Sequence, residues 1–384
     1  MVKNFLKAKK KNTNLLVIFL FILIIVYKSL SMPFTFDEAY TFLNYVITRN
    51  YFNIGLANNH LLNTILMGFF SYFGFDVFIL RLPNIIAGVI FVITAFKLSQ
   101  KYSDSYFSLT ILLCNILTID FFSHARGYGI TSSLNFLAFY IFLHSKFKYK
   151  YQLSLFLIYL GSLSIFINLL NLYIFIFLSY LHNKKFTKNL KIHISNFIFI
   201  VLSWPILNWI FEVTKDDRPV FGNEIEFNFL NSLISIFGFI DTYYFSYFFI
   251  KLLFFVLVMF VLFKKKIQFN FINNFFFLVL IALVILPLLF SRPFPTGRIL
   301  IPFIPIFQIF IIELFKNFPK KSFKKFLTLI IIFNFLTALN LSSSIQWGVS
   351  VDLSKSGLAE ICDNPNFLRP EIEYYINYLN VCGN

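Results

Sequence analysis

Two adjacent carboxylates, Asp37 and Glu38, stand in the stretch Thr35-Phe36-Asp37-Glu38-Ala39-Tyr40-Thr41-Phe42, just past the first apolar run of the chain. Acids at the edge of a hydrocarbon layer are costly to keep, so such a pair points to chemistry: proton abstraction, or attack by a carboxylate. A structural reading competes for one of them. Thr35 and Glu38 have the Thr-x-x-Glu spacing of a capping box, which would start a helix at Phe36 and account for Glu38 alone. Asp37 has no such explanation and is the first candidate for a catalytic base, with Glu38 as its partner.

Three more polar groups of residues interrupt the apolar sequence. Asn58-Asn59-His60 precedes Arg81-Leu82-Pro83; Asp120 precedes Ser123-His124-Ala125-Arg126-Gly127-Tyr128-Gly129; and Ser291-Arg292-Pro293-Phe294-Pro295-Thr296-Gly297-Arg298 lies late in the chain. Arg126, in a Gly-Tyr-Gly turn, and Arg298, beside Gly297 and between prolines, read as positioned anion-binding groups, because a guanidinium near lipid needs a partner. Arg81 and Arg292 are further candidates of the same kind. Asp120 is a further candidate acid, and Tyr40, Asn59, His60, His124 and Tyr128 are candidate substrate contacts. A lone histidine beside apolar residues is more often structural than a ligand, and Arg49 and Arg369 read as simple anchors at span ends. Two histidines and carboxylates scattered over separate loops do not define a metal site, so no metal ligand and no cofactor is assigned. Cys114 falls in an apolar run, as inert packing; Cys362 and Cys382 lie in a polar tail, where they could pair in an oxidising compartment.

The elements that must position these groups are apolar. The chain has 384 residues, 58% hydrophobic and only 13% charged, with a mean hydropathy of +0.76. Soluble domains carry about 25% charged residues, so the fold class is all-α, a polytopic membrane protein. Its net charge of +16 is scattered between apolar runs rather than gathered on one solvated face, which argues against a nucleic-acid partner. Runs near 15–30, 78–97, 105–121, 127–145, 151–167, 169–182, 193–211, 243–263, 271–290, 299–315 and 326–343 predict about eleven transmembrane helices. The first is an uncleaved anchor, since its exit lacks a small-x-small cleavage pattern. Residues 58–75 and 227–242 read as interfacial helices, and the run 151–182 as a hairpin turning near Asn168 and Asn171. Phe36, Tyr40, Leu43 and Ile47 recur at helical spacing, as in a helix lying on a membrane surface.

One orientation satisfies every loop. With the N-terminus cytoplasmic, the clusters Lys3–Lys11, Lys97/Lys101, Lys146–Lys150, Lys184–Lys191, Lys264–Lys266 and Lys316–Lys325 fall inside. The arginines and most acids fall outside, and only Asp104 and Glu313 are acids on the inner side. The transmembrane domain covers residues 1–343, with a first outer loop at 31–77, and residues 344–384 form a short outer tail.

The acidic pair after the first span, the Asn-Asn-His-Leu-Leu-Asn-Thr run, Leu-Arg-Leu-Pro, Asp120 ahead of Ala-Arg-Gly-Tyr-Gly, and a late Gly-Arg before a proline-rich span together resemble the GT-C glycosyltransferases. Within them the order is similar to the protein O-mannosyltransferase and lipid A aminoarabinose transferase branch. The resemblance covers roughly residues 10–343. It implies a GT-C-type bundle in a bacterial plasma membrane that moves a sugar from a polyprenyl-phosphate-linked donor to an acceptor at the outer face. It also implies Asp37 as base, Glu38 as the second member of the acidic motif, and Asp120 shaping the site. The acceptor, the sugar and any divalent metal stay open. Bottom-up chemistry agrees: transfer from a lipid phosphate needs a base near the acceptor hydroxyl and cations near the departing phosphate, which favours single displacement with inversion. The competing class is a transporter or flippase of a lipid-linked sugar, which would place ionisable groups near the bilayer midplane. A polysaccharide polymerase or ligase keeps the outer-face logic with another acceptor. The enzyme reading requires the carboxylate of Asp37 to face arginines rather than bulk solvent.

Overall fold

The computed structural model describes residues 2–53, 59–102, 104–182, 189–215, 270–289, 297–316, 321–339, 341 and 374. The described residues are almost entirely helical and contain no strand. Helix α1 (Val2–Ser31) is followed after Pro33 by α2 (Phe36–Thr41), which continues as a π-helical turn over Phe42–Ile47. Then come α3 (Leu61–Phe70), α4 (Val77–Ser99), α5 (Ser105–Leu113), α6 (Ile116–Phe122), α7 (Gly127–His144), α8 (Lys150–Ser164), α9 (Leu169–His182) and α10 (Leu190–Lys215). The last described helices are α11 (Phe271–Leu289), a 3-10 segment over Gly297–Phe303 leading into α12 (Ile304–Lys316), and α13 (Lys321–Ala338).

Ten of the eleven predicted runs lie on these helices; the run 243–263, the expected interfacial helix 227–242 and nearly all of the tail lie outside the described residues. Helix is not the same as span. Three described helices, Val77–Ser99, Leu190–Asn208 and Arg298–Lys316, are long and apolar enough to cross a membrane, and up to five if each of two bent pairs counts as one span. A crossing takes about 20 residues. Helices α8 and α9, with 15 and 14 residues, fall short of that length.

Outward faces carry the membrane signature. On α1, Leu16, Phe19, Leu20, Leu23, Tyr27 and Leu30 are all at least 46% exposed, whereas Phe21, Ile25, Lys28 and Ser29 turn inward. On α10, Ile194, Phe197, Ile198, Val201, Leu202 and Trp204 are similarly exposed. A contiguous apolar surface of this extent needs an apolar neighbour, and lipid is the simplest one.

The breaks in the helices have identifiable causes. Helices α1 and α2 meet at 75°, where Pro33 cannot continue the ladder. The predicted span 105–121 is bent by 58° at Cys114–Asn115. There Asn115 caps α6 by accepting from the Thr118 amide at 3.0 Å, while Gln308 of α12 donates to the Ile111 and Leu112 carbonyls at 3.0 and 3.2 Å. Helix α9 folds back along α8, with Tyr151 stacked on Phe175 at 5.6 Å, so the hairpin predicted near Asn168 is present. The Asn168 side chain fastens this turn: its amide donates to the Ile158 carbonyl and its oxygen accepts from Asn135 and Asn171. Asn135 and Asn171 also both donate to the Pro302 carbonyl, which ties the 3-10 segment carrying Arg298 to α7 and α9.

The ends of the bundle differ in charge. At one end His144 lies within electrostatic reach of Lys101, Lys150, Lys316 and Glu313, and Lys324 pairs with Asp104 at 2.5 Å. The acids Asp104 and Glu313, expected apart from the others, are therefore found among the lysines. Asp37 and Glu38 instead meet Arg81, Arg126 and Arg298 near the starts of α2, α4, α7 and the 3-10 segment.

Candidate functional site

Helix α2 begins as its sequence requires. The Thr35 hydroxyl accepts from the Glu38 amide at 3.4 Å and the Glu38 carboxylate accepts from the Thr35 amide at 2.9 Å, the reciprocal capping box. Its buried side holds Asp37, Glu38, Ala39 and Thr41. Phe36 and Ile47 are 40% and 37% exposed and Tyr40 and Leu43 half-buried, so the expected apolar stripe faces outward. Burying a face with two acids is possible only if each finds cations.

Glu38 finds Arg81. The guanidinium donates through Nε to Oε1 at 2.8 Å and through Nη2 to Oε2 at 2.7 Å, and both side chains are fully buried. The other Arg81 protons go to the Ser29, Met32 and Pro33 carbonyls at 2.8–2.9 Å, closing the frayed end of α1. All five donors of Arg81 are thereby occupied. Glu38 Oε1 also accepts from the Ala125 amide at 2.5 Å. Burial alone would raise the Glu38 pKa, but the Arg81 charge and these hydrogen bonds hold it down at about 2. Glu38, expected as the partner acid, and Arg81, expected as an anion-binding group, are thus fully engaged with each other and, through Arg81, with the carbonyls at the end of α1.

Asp120 is also paired. It is fully buried, its Oδ1 lies 2.8 Å from Lys28 Nζ, and Lys28 is also fully buried, so the expected second acid bolts α6 to α1. His124 is fully buried and its Nδ1 lies 2.7 Å from the Asp120 carbonyl, at the end of α6. Asn59 is likewise engaged with its own loop, donating to the Tyr51 and Asn53 carbonyls and accepting from Thr64.

Asp37 is different. Its Oδ2 lies 2.8 Å from Arg298 Nη1 and 3.4 Å from Arg126 Nη2, joining three segments far apart in sequence. The Asp37 side chain is 9% exposed, Arg126 1% and Arg298 32%, so the group is closed on one flank and open at Arg298. Arg126 is held by its Nη1, which donates to the Asp37 carbonyl and the Thr41 hydroxyl at 3.2 and 3.3 Å. Its backbone is fixed one residue earlier: Ala125 donates to Glu38 and accepts from Asn63 at 2.9 Å, and Asn63 in turn accepts from Asn84 at 2.7 Å. Tyr128 packs on Phe121 and, edge-on, on His60 at 5.0 Å. Tyr40 stacks on Phe36 at the rim. Arg292 lies outside the described residues, as do Asn58, Arg218, Arg369, Cys362 and Cys382.

His60 donates Nδ1–H to the Ser164 carbonyl at 2.9 Å, at the end of α8. Burial and the nearby Arg126 and Arg298 charges push its pKa well below the usual histidine range, so the ring is neutral. The closeness depends on Gly127: a methyl there would stand 2.7 Å from the Ser164 oxygen and 3.0 Å from His60 Cβ.

Sequence reasoning missed Lys28, Thr41, Asn63 and Ser164. Only Lys28 carried a signal, a lysine just before the end of an apolar run, which demands a buried counter-ion. Among the described residues no cluster of histidine, cysteine and acid groups is arranged to hold a metal. Comparison of the chain with protein-family models, with characterised proteins and with solved structures finds no match.

Proposed function

We infer that the chain is a membrane glycosyltransferase of the GT-C kind, moving a sugar from a polyprenyl-phosphate-linked donor to an acceptor hydroxyl at the outer face of a bacterial plasma membrane. The observation that carries this reading is Asp37 held between Arg126 and Arg298 with Arg298 part-exposed, while Glu38 and Arg81 neutralise each other. A lone carboxylate facing two guanidiniums is set for a ligand that brings its own negative charge. An arriving phosphate competes for Arg298, and losing part of that partner leaves Asp37 a better proton acceptor. Asp37 then takes the acceptor proton, the acceptor oxygen bonds to the sugar carbon on the face opposite the phosphate, and the carbon–oxygen bond to phosphate breaks. The electron pair leaves with the lipid phosphate, which Arg126 and Arg298 stabilise as its charge grows.

The test is release of free polyprenyl phosphate by the protein in lipid, given sugar-loaded polyprenyl phosphates and an acceptor panel. Asp37→Asn is expected to lower release about a hundredfold or more. Arg298→Ala, at a part-exposed position, is expected to weaken donor binding with little loss of stability. Translocation of the donor without release of its sugar would establish the flippase instead. That reading is less favoured because, among the described residues, ionisable groups gather at the helix ends rather than midway along them.

A further inference from the structure

His60 has two nitrogens and only one has a structural task. The Ser164 carbonyl can only accept, so the proton of the neutral ring sits on Nδ1 and Nε2 carries a lone pair. Nε2 is buried and has no hydrogen-bond partner among the described residues, in a side chain only 5% exposed. The Ser164 hydroxyl, on the very residue that His60 caps, is also buried without a partner among the described residues. A buried polar atom left unmatched is costly, so these two, on residues joined through the Ser164 carbonyl, ask for a ligand that satisfies them. The corner adjoins the charged group. His60 packs on Tyr128, and its backbone segment opens α3, whose Asn63 holds the Ala125 peptide ahead of Arg126. The unmatched atoms are neutral, an acceptor on His60 and a donor-acceptor on Ser164. Their complement is a hydroxyl-bearing group, next to arginines whose complement is a phosphate.

We propose that His60 Nε2, supported by the Ser164 hydroxyl, accepts a hydrogen bond from a ring hydroxyl of the transferred sugar, making His60 the residue that recognises the donor's sugar as distinct from its lipid phosphate. The proposal rests on the transferase reading and divides the site in two. Arg126 and Arg298 take the phosphate; His60 and Ser164 take the sugar. The role is recognition of a hydroxyl, with no bond made or broken at the histidine.

Two isosteric variants separate this from simple capping of α8. In His60→Asn the amide nitrogen falls near the Nδ1 position, so the bond to Ser164 survives and the Nε2 lone pair is lost. In His60→Gln the amide reaches the Nε2 level and the Ser164 bond is lost. Binding is measured in lipid nanodiscs with bare undecaprenyl phosphate and with undecaprenyl phosphates carrying individual hexoses and pentoses, alongside thermal unfolding. The wild type is expected to bind at least one sugar-loaded lipid more tightly than the bare lipid, by roughly five- to tenfold for one added hydrogen bond. His60→Asn should erase that increment while keeping the bare-lipid affinity and the wild-type melting temperature. His60→Gln should keep part of the increment and melt earlier. The proposal is overturned if His60→Asn keeps the full increment, or if no loaded lipid outbinds the bare one. In that second case, bare-lipid binding that still depends on Arg298 leaves the phosphate site standing. Absence of binding to either kind of lipid removes the transferase reading and this inference together.

Discussion

Adjacent residues on one turn of helix, Asp37 and Glu38 differ in what surrounds them rather than in chemistry. Glu38 meets a complete set of donors from Thr35, Arg81 and Ala125, and its carboxylate is neutralised in place. Breaking a buried pair by removing one partner costs about 3–5 kcal/mol, so Glu38→Gln is expected to lower the unfolding free energy by that order. The same group sets an acid limb. A carboxyl held at about 2 in the fold against 4.5 in the unfolded chain contributes stability fully present above pH 4.5 and lost as pH falls toward 2. His60 and His124, both lowered below 6.5 by burial, begin the loss earlier, because the unfolded chain takes up their protons first. Melting temperature against pH should therefore decline from about pH 6.5 downward, and in Glu38→Gln the portion between 4.5 and 2 should flatten. An unchanged slope in that variant would contradict the assignment of Glu38.

Between elements, the same ion-pair logic makes a sharper test. Lys28 and Asp120 are both fully buried and join α1 to α6. Asp120→Asn leaves a buried ammonium and is expected to cost about 3–5 kcal/mol, whereas Lys28→Met combined with Asp120→Leu should recover most of it, since apolar replacement of a buried pair is often neutral. A catalytic Asp120 would instead lose activity in both. Gly127→Ala addresses the junction of α7, α8 and the first loop. The added methyl meets backbone at 2.7 Å, so the variant is expected to separate His60 from Ser164 and melt lower by about 1–3 kcal/mol. A wild-type melting temperature in Gly127→Ala would show that the junction relaxes freely. These contacts were not legible beforehand because a capping partner 104 residues away, as between His60 and Ser164, leaves no periodic trace. The capping box at Thr35, by contrast, is local, and its Thr-x-x-Glu spacing was enough.

At the scale of the molecule, the segregation of charge is the feature that turns a helical bundle into a sided one. Thr48 and Lys148 are both exposed, the first beside the acidic helix and the second in a lysine-rich turn. Single cysteines at these positions are expected to react with a membrane-impermeant maleimide from opposite sides of the membrane, Thr48→Cys from outside. Labelling of both from one side would refute the proposed orientation. Short helices such as α8 and α9 mean that the number of crossings rests on tertiary packing as much as on hydropathy, because a 14-residue helix is shorter than the hydrocarbon layer.

By itself, the sequence determined the elements: apolar runs long enough to be helices, a turn near Asn168, a cap at Thr35, and an acid at Asp37 that no local pattern explains. It also showed that the candidate acids and arginines are spread over polar stretches far apart along the chain. Only the tertiary structure decided who pairs with whom. Glu38 and Asp120 look as reactive as Asp37 along the chain, yet Arg81 and Lys28 neutralise them, and only Asp37 shares its charge with a part-exposed arginine. The reason is physical: helix formation is written in neighbours within a few residues, whereas the reactivity of a carboxylate depends on which distant cation burial brings within about 3 Å of it.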